Sequence, residues 1–341
     1  MYVKTIVSTY PTAHENSIFR GGSRMRIVVI GGSGHVGTYL IPRLVNAGHY
    51  VISVSRGKRQ PYQPHQAWNE VEQVAIHRDL AEHEGTFGLQ IQELNPDVVI
   101  DMICYTPQSA EHLVNALRGR VQHLLVCGTI WIHGRSIQVP TTEEQNRKPF
   151  GDYGLQKLRM TSFLLKEARL NKFPVTVLHP GHIVGPGWIP VNPLGNFNPS
   201  IFTKLARGEE IVLPTLGMET LHHVHADDVA QVFELALGHW GEVIGEDFHV
   251  VSDAAVTLRG YAEMVAFWFG KEANLKCGVG DEWKEGLSED DIKTSLDHIT
   301  RSHNCSIQKV KRAFGYQPRY TSFQAIYEAL QWLLEQKVIV P

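Results

Sequence analysis

Arg26-Ile-Val-Val-Ile30-Gly-Gly-Ser-Gly-His-Val-Gly37 is the stretch on which the reading of this chain turns. Its first part is a continuous apolar run, as a strand buried on both faces requires. Three glycines, Gly31, Gly34 and Gly37, then stand three residues apart. Helical texture follows from about His35 to Asn46, closed by Gly48. A glycine turn between a buried strand and a helix lets a pyrophosphate lie against unpaired N–H groups at the positive end of the helix dipole. A Cβ there would hold the phosphate off, and glycine also lets helix and strand pack closely. Gly31, Ser33, Gly34, His35, Val36 and Gly37 are therefore the candidate contacts to a dinucleotide.

Outward from this turn, strand-like and helix-like segments alternate. Strands are predicted at Tyr50–Ser55, Val74–His77, Asp97–Cys104, Val121–Cys127 and Phe173–Pro180. Helices are predicted at Ser109–Leu117, with Ser109 as N-cap, and over 151–170. The alternation predicts an α/β fold, a Rossmann-type doubly wound parallel sheet. Past Gly181 the texture changes: Pro186, Pro190, Pro193 and Pro199 make a long shaped loop. Shorter elements follow at about Ile211–Leu213, Asp227–Leu237, Asp247–Val251 and Leu258–Phe269, then amphipathic helices at Ser306–Phe314 and Ser322–Gln336. The expected organisation is an N-terminal extension over 1–24, a dinucleotide-binding domain over 25–181, and a smaller substrate-binding lobe over 182–341. Some segments of that lobe are expected to return to the sheet.

The 341 residues carry a net charge of −3, so nothing electrostatic points to nucleic acid or to an anionic membrane as partner. Residues 1–24 hold no long apolar stretch, and no run elsewhere has the ~18–20 apolar residues of a membrane span. None of the four cysteines lies in a C-x-x-C pair, and Cys104 and Cys127 read as small buried hydrophobes. A reducing cytoplasmic setting fits this usage.

The end of the second strand falls on Ser55, followed by Arg56, Lys58 and Arg59. A carboxylate there would grip the adenosine ribose and repel a 2′-phosphate; arginine does the reverse. NADP is therefore preferred over NAD, the other reading being a solvated basic loop. Asp79 and Leu80, after the third strand, are assigned to the adenine, and Pro180, ending the sixth strand, is counted with the cofactor contacts. Tyr153-Gly-Leu-Gln-Lys157 places a phenol and an ammonium on one helix face. The ammonium is expected to favour the phenolate and to hold the nicotinamide ribose. Thr129, closing the fifth strand, can hydrogen-bond a substrate oxygen beside Tyr153.

Together these motifs resemble the extended short-chain dehydrogenases/reductases, the NAD-dependent epimerase/dehydratase family. The resemblance covers about residues 25–336. It adds Pro140-x-x-Glu143, Val184-Gly-Pro-Gly187, Val224-His-Ala-Asp-Asp-Val229 and Phe314-Gly-Tyr-Gln-Pro318. It implies Thr129, Tyr153 and Lys157 as the catalytic triad and a homodimer built on the Ser109 and Tyr153 helices. Three departures stand out. Ile130 and Trp131 replace the Asp-Glu pair of the dehydratases, which argues against a 4,6-dehydratase. His179 and His182 stand where sugar-nucleotide epimerases carry an arginine and an asparagine. Leu221-His222-His223 replaces a diphosphate-binding arginine. A free or glycosidic sugar, or another polyol-like carbonyl compound, is therefore expected in place of a nucleotide sugar.

His222, His223 and His225 crowd one segment, and His223 and His225 would share a strand face. They read as structural groups, as substrate ligands or, least readily, as a metal site. His133, His182 and His223 are the candidate substrate contacts, and no metal is expected. The resulting expectation is an NAD(P)-dependent epimerase or dehydrogenase/reductase acting on a sugar-like hydroxyl or carbonyl. The alternative is a non-catalytic or RNA-binding member of the same fold, since Ser55-Arg56-Gly57-Lys58 resembles the corresponding strand end of a chloroplast RNA-binding group.

Overall fold

Short runs of Val, Ile and Leu between turn residues become strands buried on both faces. In a computed structural model of the chain these are β1 (Arg26–Ile30), β2 (Tyr50–Ser55), β3 (Glu72–Ala75), β4 (Val98–Asp101), β5 (His123–Cys127) and β6 (Val175–Pro180). The structure describes residues 24–278 and 280–341. The expected N-terminal extension lies outside them except for Arg24. Helices α1 (Gly37–Asn46), α2 (Arg78–His83), α3 (Phe87–Glu93), α4 (Pro107–Leu117) and α5 (Asp152–Asn171) connect the strands.

The later half begins with β7 (His182–Val184), α6 (Ser200–Arg207), β8 (Ile211–Leu213), β9 (Thr220–Leu221) and β10 (His223–His225). It continues through α7 (Ala226–Ala236), α8 (Trp240–Val243), β11 (Asp247–Val250), β12 (Val256–Thr257) and α9 (Leu258–Trp268). It ends with β13 (Leu275–Cys277), α10 (Glu289–Ile299), α11 (Gln308–Phe314) and α12 (Ser322–Glu335).

The main sheet runs β11-β6-β5-β4-β1-β2-β3, and every neighbouring pair is parallel. One face is covered by α1, α7 and α11, whose Leu40, Ile41, Leu44, Val232 and Phe233 are fully buried. The other is covered by α3, α4 and α5 through Ile91, Val114, Met160 and Leu164. Each such side chain contributes about 1.5–3 kcal/mol by leaving water. A third cluster, with Phe202, Leu205, Tyr261, Val265, Leu330 and Leu333, forms the lobe above the sheet. The chain thus returns to the sheet after leaving it, because β11 pairs with β6 and α7 packs beside α1. Among the described residues no helix is long and apolar enough to cross a membrane.

Several local expectations shift. Strand β4 stops at Asp101, so residues 102–104 belong to the turn above it. Helix α4 begins two residues earlier than predicted: Thr106, not Ser109, is its N-cap, accepting from the Ser109 N–H at 3.1 Å, with Pro107 in the first turn. Proline suits that place because its missing N–H would be unpaired there. The hydroxyl of Ser109 instead donates to Glu82 at 2.7 Å.

Candidate active site

Strand order reverses between β1 and β4, and the crevice at their carboxyl ends is where doubly wound sheets bind ligands. Gly31 opens the turn after β1 at φ +85°, in the left-handed region. A Cβ on it would stand 3.0 Å from Ile103 of the facing turn. A Cβ on Gly37 would fall 1.9 Å from the Gly32 carbonyl, so α1 can start against this turn only with glycine there. The turn thus offers a bare backbone cradle at a helix N-terminus, and it fits a pyrophosphate.

From this cradle a groove extends toward β2 and β3. It is lined by Gly31, Ser33, Gly34, Ser55, Arg56, Lys58, Arg59, Ile76, Arg78, Asp79, Ile103 and Tyr105, among others. Arg56, Lys58 and Arg59 are exposed, and Asp79 is the single acid among the lining residues. Arg78 is buried and already paired with Asp101 at 2.8 Å and Glu82 at 2.7 Å. Leu80 does not join the lining. It is 55% exposed, because it sits one residue beyond Asp79 on α2, where successive side chains diverge around the helix. The adenine contact expected of Leu80 is corrected accordingly.

His35, Val36, Gly37 and Pro180 also stand behind the groove surface. Val36 precedes α1, and Pro180 is buried at the end of β6 beside Val250. The His35 ring approaches the Pro186 carbonyl at 3.1 Å and packs against Trp188 and Tyr62. Burial, aided by His225, pushes its pKa down to about 4, so it is neutral at pH 7 and donates to Pro186.

At the other end stand Thr129, Tyr153 and Lys157. Thr129 closes β5 and caps the short turn Ile130–His133. Its hydroxyl donates toward the Tyr153 oxygen, which draws the phenol's pKa down in part. Burial is the larger effect and raises it, with Cys127 adding to the rise. Tyr153 is nonetheless 43% exposed, and its ring stands 6.4 Å from that of Tyr105, which lines the groove. Lys157 is 1% exposed. Its Nζ donates to the carbonyls of Cys104 at 2.7 Å and Cys127 at 2.8 Å. Burial lowers its pKa. This corrects the expectation that Lys157 favours the phenolate. The ammonium is spent on two carbonyls and faces the phenol ring, 5.9 Å from its centroid, so desolvation prevails and the phenol stays protonated.

Two groups of histidines flank β6. In the first, the Thr129 N–H donates to His179 Nδ1 at 3.0 Å, and His179 Nε2 donates to Asp247 at 2.9 Å. Arg147 completes the set, 2.6 Å from Asp247. Gly128 is needed there, since a Cβ would fall 2.1 Å from the His179 ring. His133 joins this group, its Nε2 2.8 Å from His249 Nε2. That pairing turns His133 into the scaffold, away from its expected place as a substrate contact.

The second group lies toward the lobe. His182 sits 4.9 Å from His298 and 5.7 Å from His223, ring to ring. Apart from a loose approach to the Val191 backbone, neither ring nitrogen of His223 has a hydrogen-bond partner. Burial lowers all three, to about 3 for His223 and about 4 for His298, so none is charged at pH 7. Trp131 links this group to the reacting end. Its ring is 5.7 Å from Tyr153 and 5.1 Å from His298, with the Arg301 guanidinium stacked on it at 3.7 Å. His222 and His225 are structural. His222 bonds Ser252 and Cys305, and His225 caps α7 by accepting from Asp227. Among the described residues no group of three His, Cys, Asp or Glu stands in position to hold a metal.

A family model for the NAD dependent epimerase/dehydratase family matches residues 27–250. The chain belongs to this family. Epimerase/dehydratase relatives of known structure share its fold. The Bordetella bronchiseptica enzyme WbmG, solved with NAD and UDP, superposes with a TM-score of 0.69 over 93% of this chain and 96% of that one, at 18% identity. The UDP-glucose 4-epimerase of Thermotoga maritima, solved with UDP-glucose, gives 0.70 over 92% and 100%, also at 18% identity. Two curated proteins are similar in sequence. A 2'-dehydrokanamycin reductase of Streptomyces kanamyceticus is 32% identical over 134 residues, 39% of this chain and 36% of the reductase. The chain thus spans about a third of that relative's length. The chloroplast stem-loop binding protein of 41 kDa b of Arabidopsis thaliana is 25% identical over 316 residues, 90% of this chain and 79% of that protein.

Tyr105, Trp131 and His298 complete the site beyond the residues singled out from sequence. Ser288 followed by Glu289-Asp290-Asp291 is a legible helix start that would have placed His298 on α10. Nothing local marks Tyr105.

Proposed function

We propose that this chain is an NAD(P)-dependent oxidoreductase or epimerase acting on a hydroxyl or carbonyl of a sugar not linked to a nucleotide. The observation that carries the reading is that Thr129, Tyr153 and buried Lys157 come together beside Tyr105, a lining residue of the groove that starts on the Gly31 turn. The nicotinamide cofactor, when bound, supplies or accepts the hydride. Tyr153, protonated at neutral pH, gives its proton to the substrate oxygen in the reducing direction and is reprotonated from solvent; in the oxidising direction it must first lose that proton to solvent before it can take the substrate's. Thr129 holds that oxygen, and the His179–Asp247–Arg147 chain fixes the Thr129 backbone.

The cationic loop at Arg56, Lys58 and Arg59 favours a 2′-phosphate, hence NADP over NAD. Asp79 is assigned to the adenine. His182 and His223, both neutral, and His223 with neither ring nitrogen hydrogen-bonded beyond the loose approach to Val191, are assigned to substrate hydroxyls, each ring offering one donor and one acceptor. A diphosphate is disfavoured on that wall, where Arg301 is buried, stacked on Trp131 and bonded to the Phe150 and Asp297 carbonyls. The relative that is a 2'-dehydrokanamycin reductase is in keeping with this substrate class. A homodimer through α4 and α5 completes the proposal.

Replacing Tyr153 by Phe tests it. Turnover on the true substrate falls about 10²- to 10⁴-fold, while dinucleotide affinity, measured by fluorescence titration, stays within twofold. Full turnover by the variant refutes the mechanism. The stem-loop binding relative motivates a second reading, RNA binding. The net charge of −3 speaks against it, and a gel shift at physiological salt that shows tight binding would reverse the ranking.

A further inference from the structure

Lys157 is expected to hold the nicotinamide ribose, yet its ammonium is almost wholly sealed, at 1% exposure. Two of its three N–H groups are used by the Cys104 and Cys127 carbonyls. Over what remains lies the ring of Tyr105, whose centroid is 4.8 Å from Nζ. That ring is itself 51% exposed and lines the groove along with Gly31 and Ile103. It also stands 6.4 Å from the Tyr153 ring. Tyr105 is thus the piece of groove wall that covers the ammonium. A ribose hydroxyl entering from the Gly31 turn reaches Lys157 only if this ring gives way.

We propose that Tyr105 controls access of the nicotinamide ribose to Lys157, occupying the ammonium in the ligand-free enzyme and yielding to the ribose when the dinucleotide docks. The inference rests on the cofactor reading above. Tyr105 follows the early end of β4 by four residues and precedes Thr106, the N-cap of α4, so it is carried on a turn whose side chain can rotate without disturbing sheet or helix. The cation–π contact favours the closed arrangement, and the apparent affinity for any ligand that needs the open one is reduced by the fraction closed. Only the nicotinamide half of the dinucleotide meets this penalty. The adenosine half binds more than one side chain away, at Ser55 and Arg56.

Equilibrium titrations with NADPH and NADH, set against ADP and 2′,5′-ADP, test the proposal. Tyr105→Ala should tighten binding of the preferred dinucleotide about three- to tenfold. ADP and 2′,5′-ADP, which lack the nicotinamide ribose, should bind it as they bind the unaltered enzyme. Tyr105→Phe, which keeps the π face, should match the unaltered enzyme, and Tyr105→Leu, which keeps bulk without that face, should shift in the direction of Ala. Weaker or unchanged dinucleotide binding by Tyr105→Ala overturns the proposal and makes the ring a fixed wall or platform. An equal change for dinucleotides and half-ligands overturns it too, as a general effect on the groove. If the unaltered enzyme binds ADP but neither dinucleotide, the cofactor reading fails, and this proposal falls with it.

Discussion

The two ends of the groove are built by opposite rules. The adenosine end is open, with Arg56, Lys58 and Arg59 exposed on a loop and few hydrogen bonds to hold them. The reacting end is closed, with Lys157, His179, Asp247 and His249 buried and bonded to one another or to backbone carbonyls. Long-range charge suffices to select a phosphate, and it tolerates a mobile side chain. Proton and hydride transfer need atoms held to a fraction of an ångström, which only packing and mutual hydrogen bonds supply. The molecule keeps its rigidity where bonds are to be made and its adaptability where a cofactor is to be chosen.

Acid should break this contrast most severely. Burial holds the folded-state pKa of His35, His222 and His298 near 4, and of His123, His133, His223 and His303 near 3. An unfolded imidazole titrates near ~6.5, so between about pH 6.5 and 4 the unfolded chain binds protons that the folded one refuses. Stability is therefore full above that window and is lost as pH falls through it, by up to about 1.4 kcal/mol per pH unit for each such group. Chemical denaturation followed from pH 8 downward should show the fold lost before pH 4 is reached. These groups stand around the reacting end, the lobe and the sheet interior, so backbone amides there should gain exchange before those of β2 and β3. A protein still native at pH 4 would show that the burial is not as described.

Next in size is Asp247→Ala. It leaves Arg147 and His179 without their shared carboxylate inside the molecule, and a broken buried ion pair typically costs ~3–5 kcal/mol. Urea melts should register a loss in that range. A loss below about 1 kcal/mol would mean that the closed end is looser than its hydrogen bonds imply. The smallest effect is expected at the open end. Arg56→Ala should weaken NADPH binding about tenfold and leave NADH nearly unchanged, as removal of one charge-assisted contact would do. Equal weakening for both cofactors would refute the 2′-phosphate assignment without touching the fold.

Features that depend on near neighbours were legible in the sequence. The glycine turn needs only a strand before it and a helix after it, and Tyr153 and Lys157 need only one helix between them. The apolar runs that become β1, β2, β5 and β6 stand out because parallel strands are buried on both faces. Features that depend on distant partners were not. His179 meets Asp247 across 68 residues, and no local pattern announces that β11 will lie beside β6. The direction of the Tyr153 shift was misjudged for the same reason: its largest cause is burial, with Cys127 adding to it, and how deeply the phenol is packed depends on distant parts of the chain. The N-cap of α4 was readable after all, since Thr106-Pro107 is a helix start in itself.

Strand β11 has one more consequence. It borders β6 through Pro180 and Val250, about 70 residues apart along the chain. During synthesis at ~5–20 residues per second, β6 therefore waits roughly 4–14 s for its outer neighbour. Throughout that interval the nascent chain shows an unpaired strand margin and, with α7 also late, a bare apolar surface beside α1 on the same face of the sheet. A chain halted near residue 181 would expose that margin and that surface together, the features that make folding intermediates prone to aggregate.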